Sequence, residues 1–335
     1  MVRSLCQLLG IEVPIVQAPI GHASGPELVA TVCETGALGM LAMTWRKRAQ
    51  IPRVIGEVRE RTARPFGVNL VIERDQDARL GACLQEGVRV VSFFWGNPAR
   101  YIERVHRAGG VVLHTVGSAA EARQRVDDGV DVIVAQGVEA GGHVWGQVST
   151  MALVPAVVDA VGPVPVIAAG GITDARGIAA ALALGASGVW MGTRFVATQE
   201  SAAHPAYKQA VINAAETGTV YTRMFDQGWP DAPHRVLRNS TIARGESAAS
   251  GDAAPGRPGE GETIGRLADG TAIVRYAAEE PLAGMEGDVE AMAQYAGQSA
   301  ALVHDLPSAS DLVPSLMSGT GEALTNALSY LQGFR

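Results

Sequence analysis

The residues of this sequence best suited to chemistry are a histidine and several glycines that follow short apolar runs. Residues 136–143 read Gln-Gly-Val-Glu-Ala-Gly-Gly-His, and the two glycines before His143 give the backbone freedom to place its imidazole against a flat ligand. Imidazole changes its protonation near neutral pH. His143 is therefore the candidate proton donor or acceptor.

Two later turns predict a phosphate site. Gly170-Gly171 and Gly192-Thr193 each follow an apolar run, and glycines allow the main chain to approach a ligand closely. Main-chain N–H groups bind phosphate, and Thr193 adds a hydroxyl donor. Asp174 is expected to cap the helix that follows. Neither a P-loop motif nor a GxGxxG after a first strand is present, so another mode of phosphate binding is expected.

Other reaction types lack their motifs. His22, His114 and His143 form no HxH or HExxH pattern, so we expect no metal. No GxSxG motif suggests a serine nucleophile. The only lysines, Lys47 and Lys208, lie in polar segments, which argues against Schiff-base chemistry.

The pattern of apolar runs predicts the fold that positions these residues. Eight runs of mostly β-branched residues alternate with helical segments, which favours an α/β fold, a (β/α)8 TIM barrel. The runs begin at Ile15, Leu38, Phe66, Val88, Gly110, Val130, Val164 and Ser187. Helices are expected at 26–35, 76–86, 98–108, 119–128 and 174–184. Reacting groups in such barrels lie at the carboxyl ends of the strands.

We expect three parts along the chain. Residues 1–198 form the barrel with all eight strands, residues 199–285 form a lid-like insertion over its mouth, and residues 286–335 form helices that pack back on it.

The insertion and the helices after it have local signals of their own. Residues 202–215 are expected to be helical and residues 245–262 are of low complexity, which is typical of flexible segments. Asp269-Gly270 predicts a hairpin within 263–276. Further helices are expected at 288–304 and 311–331.

Composition limits the class of protein. The chain has 335 residues, 47% of them hydrophobic, and a net charge of −7. The sequence has no dense stripe of basic residues, so we do not expect it to bind nucleic acid. No apolar run is long enough to span a membrane. Three cysteines without a CxxC pair and the absence of a signal peptide predict a reduced, cytoplasmic protein.

The segments QGVEAGGHVWG, VIAAGGITDARGIAAALALGASGVWMGTRF and QAPI resemble the nitronate monooxygenase (2-nitropropane dioxygenase-like) family of FMN-dependent barrels. Enoyl-acyl-carrier-protein reductase II and NADH:quinone reductases share this scaffold. The similarity covers roughly residues 10–200 and the segment Tyr295-Ala296-Gly297-Gln298.

The resemblance implies that FMN is the cofactor and that His143 is the catalytic base or proton partner. The residues it places around FMN are Ala18, Pro19 and Ile20 beside the ring, Asn69, His114 and Gln136 as hydrogen-bond partners of the ring or ribityl chain, and Gly141, Gly170, Gly171, Met191, Gly192 and Thr193 along the tail and phosphate.

The implied reaction is oxidation of an alkyl nitronate by O2 to a carbonyl compound and nitrite, in an enzyme expected to be a homodimer. The alternatives are an NAD(P)H-dependent FMN reductase that acts on an enoyl thioester or a quinone, and a barrel without catalysis that binds a flavin or another phosphate-bearing ligand. A lid near residues 221–229 would exclude water from the site.

Overall fold

A closed ring of eight parallel strands forms the centre of the protein. The computed structural model describes residues 4–249 and 257–332. The strands are β1 (Ile15–Gln17), β2 (Met40–Ala42), β3 (Gly67–Val71), β4 (Val90–Phe94), β5 (Val111–Val116), β6 (Val132–Gln136), β7 (Val166–Ala169) and β8 (Gly188–Met191). Each pairs with its neighbour in chain order, β8 pairs with β1, and a parallel bridge between Val16 and Leu38 closes the ring. The predicted TIM barrel is confirmed.

Helices surround the ring. They are α1 (Leu5–Leu9), α2 (Pro26–Glu34), α3 (Ile51–Arg59), α4 (Asp77–Gln85), α5 (Ala99–Arg107), α6 (Ala119–Asp127), α7 (Thr150–Val161), α8 (Ala175–Ala183) and the short α9 (Thr193–Val196). The five helices expected from the sequence are confirmed to within two residues. Asp174 caps α8 as expected, because its carboxylate accepts from the N–H groups of Arg176 and Gly177.

Two apolar layers hold the barrel together. Inside the ring, alternate strand residues such as Val90, Val132 and Ile167 pack on one another and on Leu5 and Leu9 of α1. The helix α1 therefore plugs the amino-terminal end of the barrel. The outward strand residues pack against the surrounding helices, and this leaves the carboxyl ends of the strands open for a site.

The insertion forms a cover over those strand ends. It contains α10 (Pro205–Ile212), β9 (Thr219–Thr222), β10 (His234–Leu237), α11 (Ser240–Ala249), β11 (Thr263–Arg266) and β12 (Ala272–Val274), and β13 (Glu286–Gly287) follows directly after it. The expected hairpin is confirmed, because β11 and β12 pair antiparallel. The strand β10 pairs with β9 on one edge and with the barrel residues Gly142 and His143 on the other.

Two local predictions were wrong. The segment 288–304 has only two short 3-10 turns, Val289–Ala291 and Gln298–Leu302. Main-chain bonds from Leu237 to Gln294 and from Ala296 to Arg235 keep the residues between these turns extended beside β10, which overrides their alanine-rich helical tendency. The second prediction was that residues 245–262 are a flexible segment of low complexity, but residues 245–249 are helical in α11. Part of this segment lies outside the described residues.

A long carboxyl-terminal helix completes the outer layer. This helix, α12 (Ala309–Gln332), packs against α8 and α2 and contributes Leu312, Val313 and Leu316 to the outer core. It occupies the place where an eighth barrel helix would follow β8.

Candidate functional site

A cavity of about 400 Å³ opens at the carboxyl ends of the strands, beneath the insertion. Its walls combine the loops of the barrel with the underside of the insertion. Of the residues predicted for the site, those that line it are Ala18, Pro19, Ile20, Asn69, Gln136, Gly141, His143, Gly170, Gly171, Gly192 and Thr193. The structure therefore brings together residues that are far apart in the sequence.

Two of the predicted residues are not brought to the cavity. His114 is fully buried, is not part of the cavity wall and is close enough to Arg125 of α6 to feel its charge. The next residue, Thr115, lines the cavity instead, because successive side chains of a strand point to opposite faces. Met191 packs in the outer core beside the helices. The contacts with FMN predicted for these two side chains thus have no support from their positions.

The two glycine turns offer unpaired main-chain donors. Gly170 and Gly171 have φ angles of +96° and +70°, a region that favours glycine. A Cβ on Gly170 would lie only 2.9 Å from the carbonyl oxygen of Gly137, so the close approach also needs glycine. Within the described residues, the N–H groups of Gly171 and Gly192 donate to no other residue, although both glycines line the cavity.

Further polar groups face the cavity from nearby. The hydroxyl oxygen of Thr193 accepts from the N–H of Gly297 at 2.9 Å, which leaves its own proton available to a ligand. Asn69 is mostly buried in the middle of β3, lines the cavity and has no hydrogen-bond partner for its side chain among the described residues.

Gln136 fixes the loop that carries the histidine. We call residues 137–145 the histidine loop. The Nε2 of Gln136 donates to the carbonyl of His143 at 3.1 Å, and its Oε1 accepts from the N–H of Trp145 at 2.9 Å. Both ends of the amide are thus used by the main chain of the loop, so Gln136 positions His143 from the end of β6.

His143 sits in an aromatic enclosure. Its ring centroid lies 4.0 Å from that of Trp229 and 5.6 Å from that of Tyr295. Trp95 and His234 stand 6.2 Å and 5.4 Å away. The Nε2 of His143 is buried and has no hydrogen-bond partner among the described residues.

This enclosure keeps the imidazole neutral. Burial, together with the charge of the neighbouring His234, lowers the pKa of His143 from 6.5 to about 3. His234 is itself held by two hydrogen bonds, one to the carbonyl of Ala232 at 2.9 Å and one from the N–H of Phe225 at 3.3 Å. At neutral pH, the neutral imidazole of His143 can therefore accept a proton.

The insertion closes the site with segments around residues 227–229 and 278–280. Glu280 reaches across to the barrel, where its carboxylate accepts from the N–H of His22. A Cβ on Gly21 would lie only 2.3 Å from this carboxylate. The loop after β1 is thus attached to the insertion.

Several residues of the wall were not predicted from the sequence. Among them are Trp45, Phe94, Thr115, Trp190, Trp229, Tyr295 and Ser299. The barrel residues in this list lie at or just after the ends of strands. The rule that strand ends carry the site could therefore have identified them. Trp229 and Tyr295 come from segments without a periodic pattern, so only the resemblance around Tyr295 gave a signal.

Groups outside the cavity perform structural roles. Lys208 is buried, against expectation, but its ammonium donates to the carbonyls of Thr198 and Gln199 at 2.7 and 3.2 Å.

Among the described residues, no group of three or more His, Cys, Asp or Glu side chains is arranged to hold a metal. No helix of the described ranges is long and apolar enough to cross a membrane.

Comparisons with known proteins agree with this geometry. The family model for nitronate monooxygenase matches residues 3–82 and 73–319. A Mycobacterium tuberculosis protein named (3aS,4S,5R,7aS)-5-hydroxy-7a-methyl-1-oxo-octahydro-1H-indene-4-carboxyl-CoA dehydrogenase is 38% identical, over 93% of this chain and 94% of its own. FabK from Thermotoga maritima superposes with a TM-score of 0.82 at 33% identity, over the whole of both chains. Nitroalkane oxidase from Streptomyces ansochromogenes superposes with a TM-score of 0.80 at 33% identity, over 97% of this chain and 100% of its own.

Proposed function

The chain belongs to the nitronate monooxygenase family of oxidoreductases, and from this we propose that it binds FMN and oxidises alkyl nitronates with O2 to carbonyl compounds and nitrite. The observation that carries the proposal is the neutral, unpartnered imidazole of His143 on the wall of a cavity that also contains two unpaired glycine N–H groups. The three cysteines are free, which fits the cytoplasmic location that we also propose.

The residues present fit FMN. The N–H groups of Gly171 and Gly192 and the hydroxyl of Thr193 would hold its phosphate. The amide of Asn69 would bond the ring or ribityl chain, and the main chain at Pro19 and Ile20 would lie beside the ring. When bound, FMN supplies the acceptance and transfer of electrons.

The protein's own contribution is the handling of a proton. The imidazole of His143 would accept the proton of a neutral nitroalkane, or would orient the anion if the nitronate itself enters. Gln136 holds the main chain at His143 and at Trp145, so the position of the imidazole is set before the substrate arrives.

The insertion would exclude water from this step. Trp229 stacks on the imidazole, and Glu280 ties the insertion to the loop after β1. A dry site strengthens each electrostatic interaction with the substrate and protects reactive species from hydrolysis.

A second candidate reaction is oxidation or reduction of an acyl thioester. It is favoured by the mouth of the cavity, where Trp45 lines the wall and is still 44% exposed, so an elongated substrate can extend to solvent. The Mycobacterium tuberculosis relative, whose name includes a carboxyl-CoA substrate, is similar over nearly its whole length.

The test is to purify the protein, load it with FMN and measure two reactions. Release of nitrite from a nitronate in air, with little bleaching of the flavin by NADH or NADPH without oxygen, would support the first reaction. Rapid anaerobic bleaching by a nicotinamide coenzyme would support a reductase. A protein that takes up no FMN would contradict both.

A histidine pair provides the control. His143→Gln should keep FMN and lose at least ~100-fold in turnover, since positioned acid–base groups contribute about 10² to 10⁴ in rate. His304→Gln, at an exposed position away from the cavity, should react like the unchanged protein. Full turnover by the His143 variant with FMN bound would disprove the role of the imidazole.

A further inference from the structure

Three arginines without ion-pair partners lie beside Trp45, a residue of the cavity wall. We call Arg46, Arg74 and Arg79 the arginine rim. Within the described residues, none of them lies within 4 Å of a carboxylate oxygen in an ion pair. Most other arginines of the chain do form such pairs.

Contacts with the main chain hold the rim together. The Nε of Arg46 donates to the carbonyl of Ala42 at 3.1 Å, and the Nε of Arg79 donates to the carbonyl of Arg46 at 2.8 Å. Arg74 donates to the carbonyl of Gly228 in the insertion at 3.0 Å. These bonds use only part of each guanidinium, and the remaining N–H groups are available for a ligand.

An aromatic surface lies beside the rim. The guanidinium carbon of Arg74 stands 5.2 Å from the ring centroid of Trp45, which is 44% exposed and also lines the cavity. Trp45 in turn meets Trp229 edge to face at 5.9 Å. A planar cation and an indole together suit a stacked purine next to its phosphates.

The surrounding charges leave the rim positive. The nearby carboxylates of Asp75 and Asp77 are neutralised by Arg100 and Arg104. Glu280, on the cavity wall, and Glu57, which is paired with Arg53, both act on Arg46 electrostatically. Against them stand three unpaired guanidinium groups, in a chain whose net charge is −7.

We propose that the rim and Trp45 bind the adenosine diphosphate part of a substrate or coenzyme whose reactive end enters the cavity. Guanidinium groups bind phosphate oxygens with paired hydrogen bonds, and Trp45 would stack the adenine. Coenzyme A thioesters and NAD(P)H share this diphosphate. This proposal rests on the second candidate reaction or on a nicotinamide reductant. The adenosine diphosphate is the part of the thioester or coenzyme that stays outside the cavity.

Binding is tested on the FMN-loaded, full-length protein by titration calorimetry with ADP, coenzyme A, NADPH and adenosine. ADP should bind at least tenfold more tightly than adenosine, and the affinity for ADP should fall as salt is added. The Arg46→Ala/Arg74→Ala double variant should lose at least tenfold in affinity for ADP. The control is Arg61→Ala, which removes an exposed arginine at the amino-terminal end of the barrel. This variant should bind ADP as tightly as the unchanged protein.

The two sources of the diphosphate are separated by their relative affinities. Tighter binding of coenzyme A than of NADPH assigns the site to a thioester, and the reverse assigns it to the coenzyme. Absence of saturable ADP binding, or an equal loss in Arg61→Ala, would overturn the proposal.

A kinetic readout distinguishes this inference from the proposed reaction. Arg74→Ala should raise the KM for a coenzyme A thioester or NADPH at least tenfold, while nitrite release from a small nitronate stays within twofold of the unchanged protein. Binding of ADP can be measured even if neither reaction occurs, so the failure of one proposal leaves the other open to test.

Discussion

At the scale of single residues, two histidines with similarly lowered pKa values have different uses. The pKa values of both His114 and His143 are lowered to about 3 by burial. His143 lines a cavity, so its imidazole ring can meet a ligand. His114 faces the helix layer, where both ring nitrogens are buried without partners among the described residues. It therefore lowers the free energy of unfolding and takes no part in the site.

His114 should make the protein sensitive to acid. Its pKa is about 3 in the folded chain and 6.5 in the unfolded chain, so the unfolded chain alone binds a proton between these values and stability falls as pH falls. Between pH 7 and pH 5 this amounts to about 2 kcal/mol. In His114→Leu, the loss of unfolding free energy over this interval should be smaller by that amount, as measured by urea denaturation at both pH values.

The same variant has an internal control. At pH 7 it should be as stable as the unchanged protein or more so, because an apolar side chain replaces two unsatisfied polar atoms. An acid-induced loss equal to that of the unchanged protein would show that His114 titrates normally.

At the scale of elements, the sequence was sufficient for the barrel and insufficient for its cover. Strand runs such as 132–136 and turns such as Gly170-Gly171 are local patterns, and both were predicted. The pairing of His143 with His234 joins residues 91 positions apart, and no period in the sequence indicates it. The wrong helix at 288–304 has the same cause, since tertiary pairing with β10 decides its shape.

Close packing between the histidine loop and the segment after β13 should tolerate no side chain at Gly141. A Cβ there would lie 2.4 Å from the nitrogen of Gly297 and 2.6 Å from the carbonyl carbon of Ala296. Gly141→Ala should therefore cost about 3 kcal/mol of unfolding free energy and at least ~10-fold in turnover, because His143 and Tyr295 are pushed apart. Urea denaturation and steady-state kinetics measure the two effects.

The neighbouring glycine serves as the matched variant. A Cβ on Gly142 meets nothing within 4 Å, and only its φ of +73° opposes a side chain. Gly142→Ala should cost about 1 kcal/mol. If the two variants were equally destabilised, steric contact with the Ala296–Gly297 segment would not be what requires glycine at 141.

At the scale of the whole molecule, the barrel is completed by two segments separated by the insertion. After β8 the chain forms only the four-residue α9, then builds the cover, and returns as α12 to fill the space between α8 and α2. The cover is therefore attached to the barrel at both of its ends, and further by β10 and Glu280. This arrangement links the position of His143 to the folding of the cover.

Two glycines of α12 test how tightly the helix docks. A Cβ on Gly319 would lie 2.8 Å from the Cβ of Ala175, whereas one on Gly321 would meet nothing within 4 Å. Gly319→Ala should lose about 1 kcal/mol of stability through overpacking, and Gly321→Ala should gain up to about 1 kcal/mol through helix propensity. Thermal unfolding of both variants should give opposite shifts in Tm, and shifts of the same sign would contradict this docking.

The return of α12 also has a consequence during synthesis. When β8 leaves the ribosome, the ring of strands is complete, but the groove between α8 and α2 still lacks the leucines and valine that cover it. More than a hundred further residues must be translated before they arrive. The nascent barrel thus carries an uncovered apolar groove for several seconds at ordinary elongation rates.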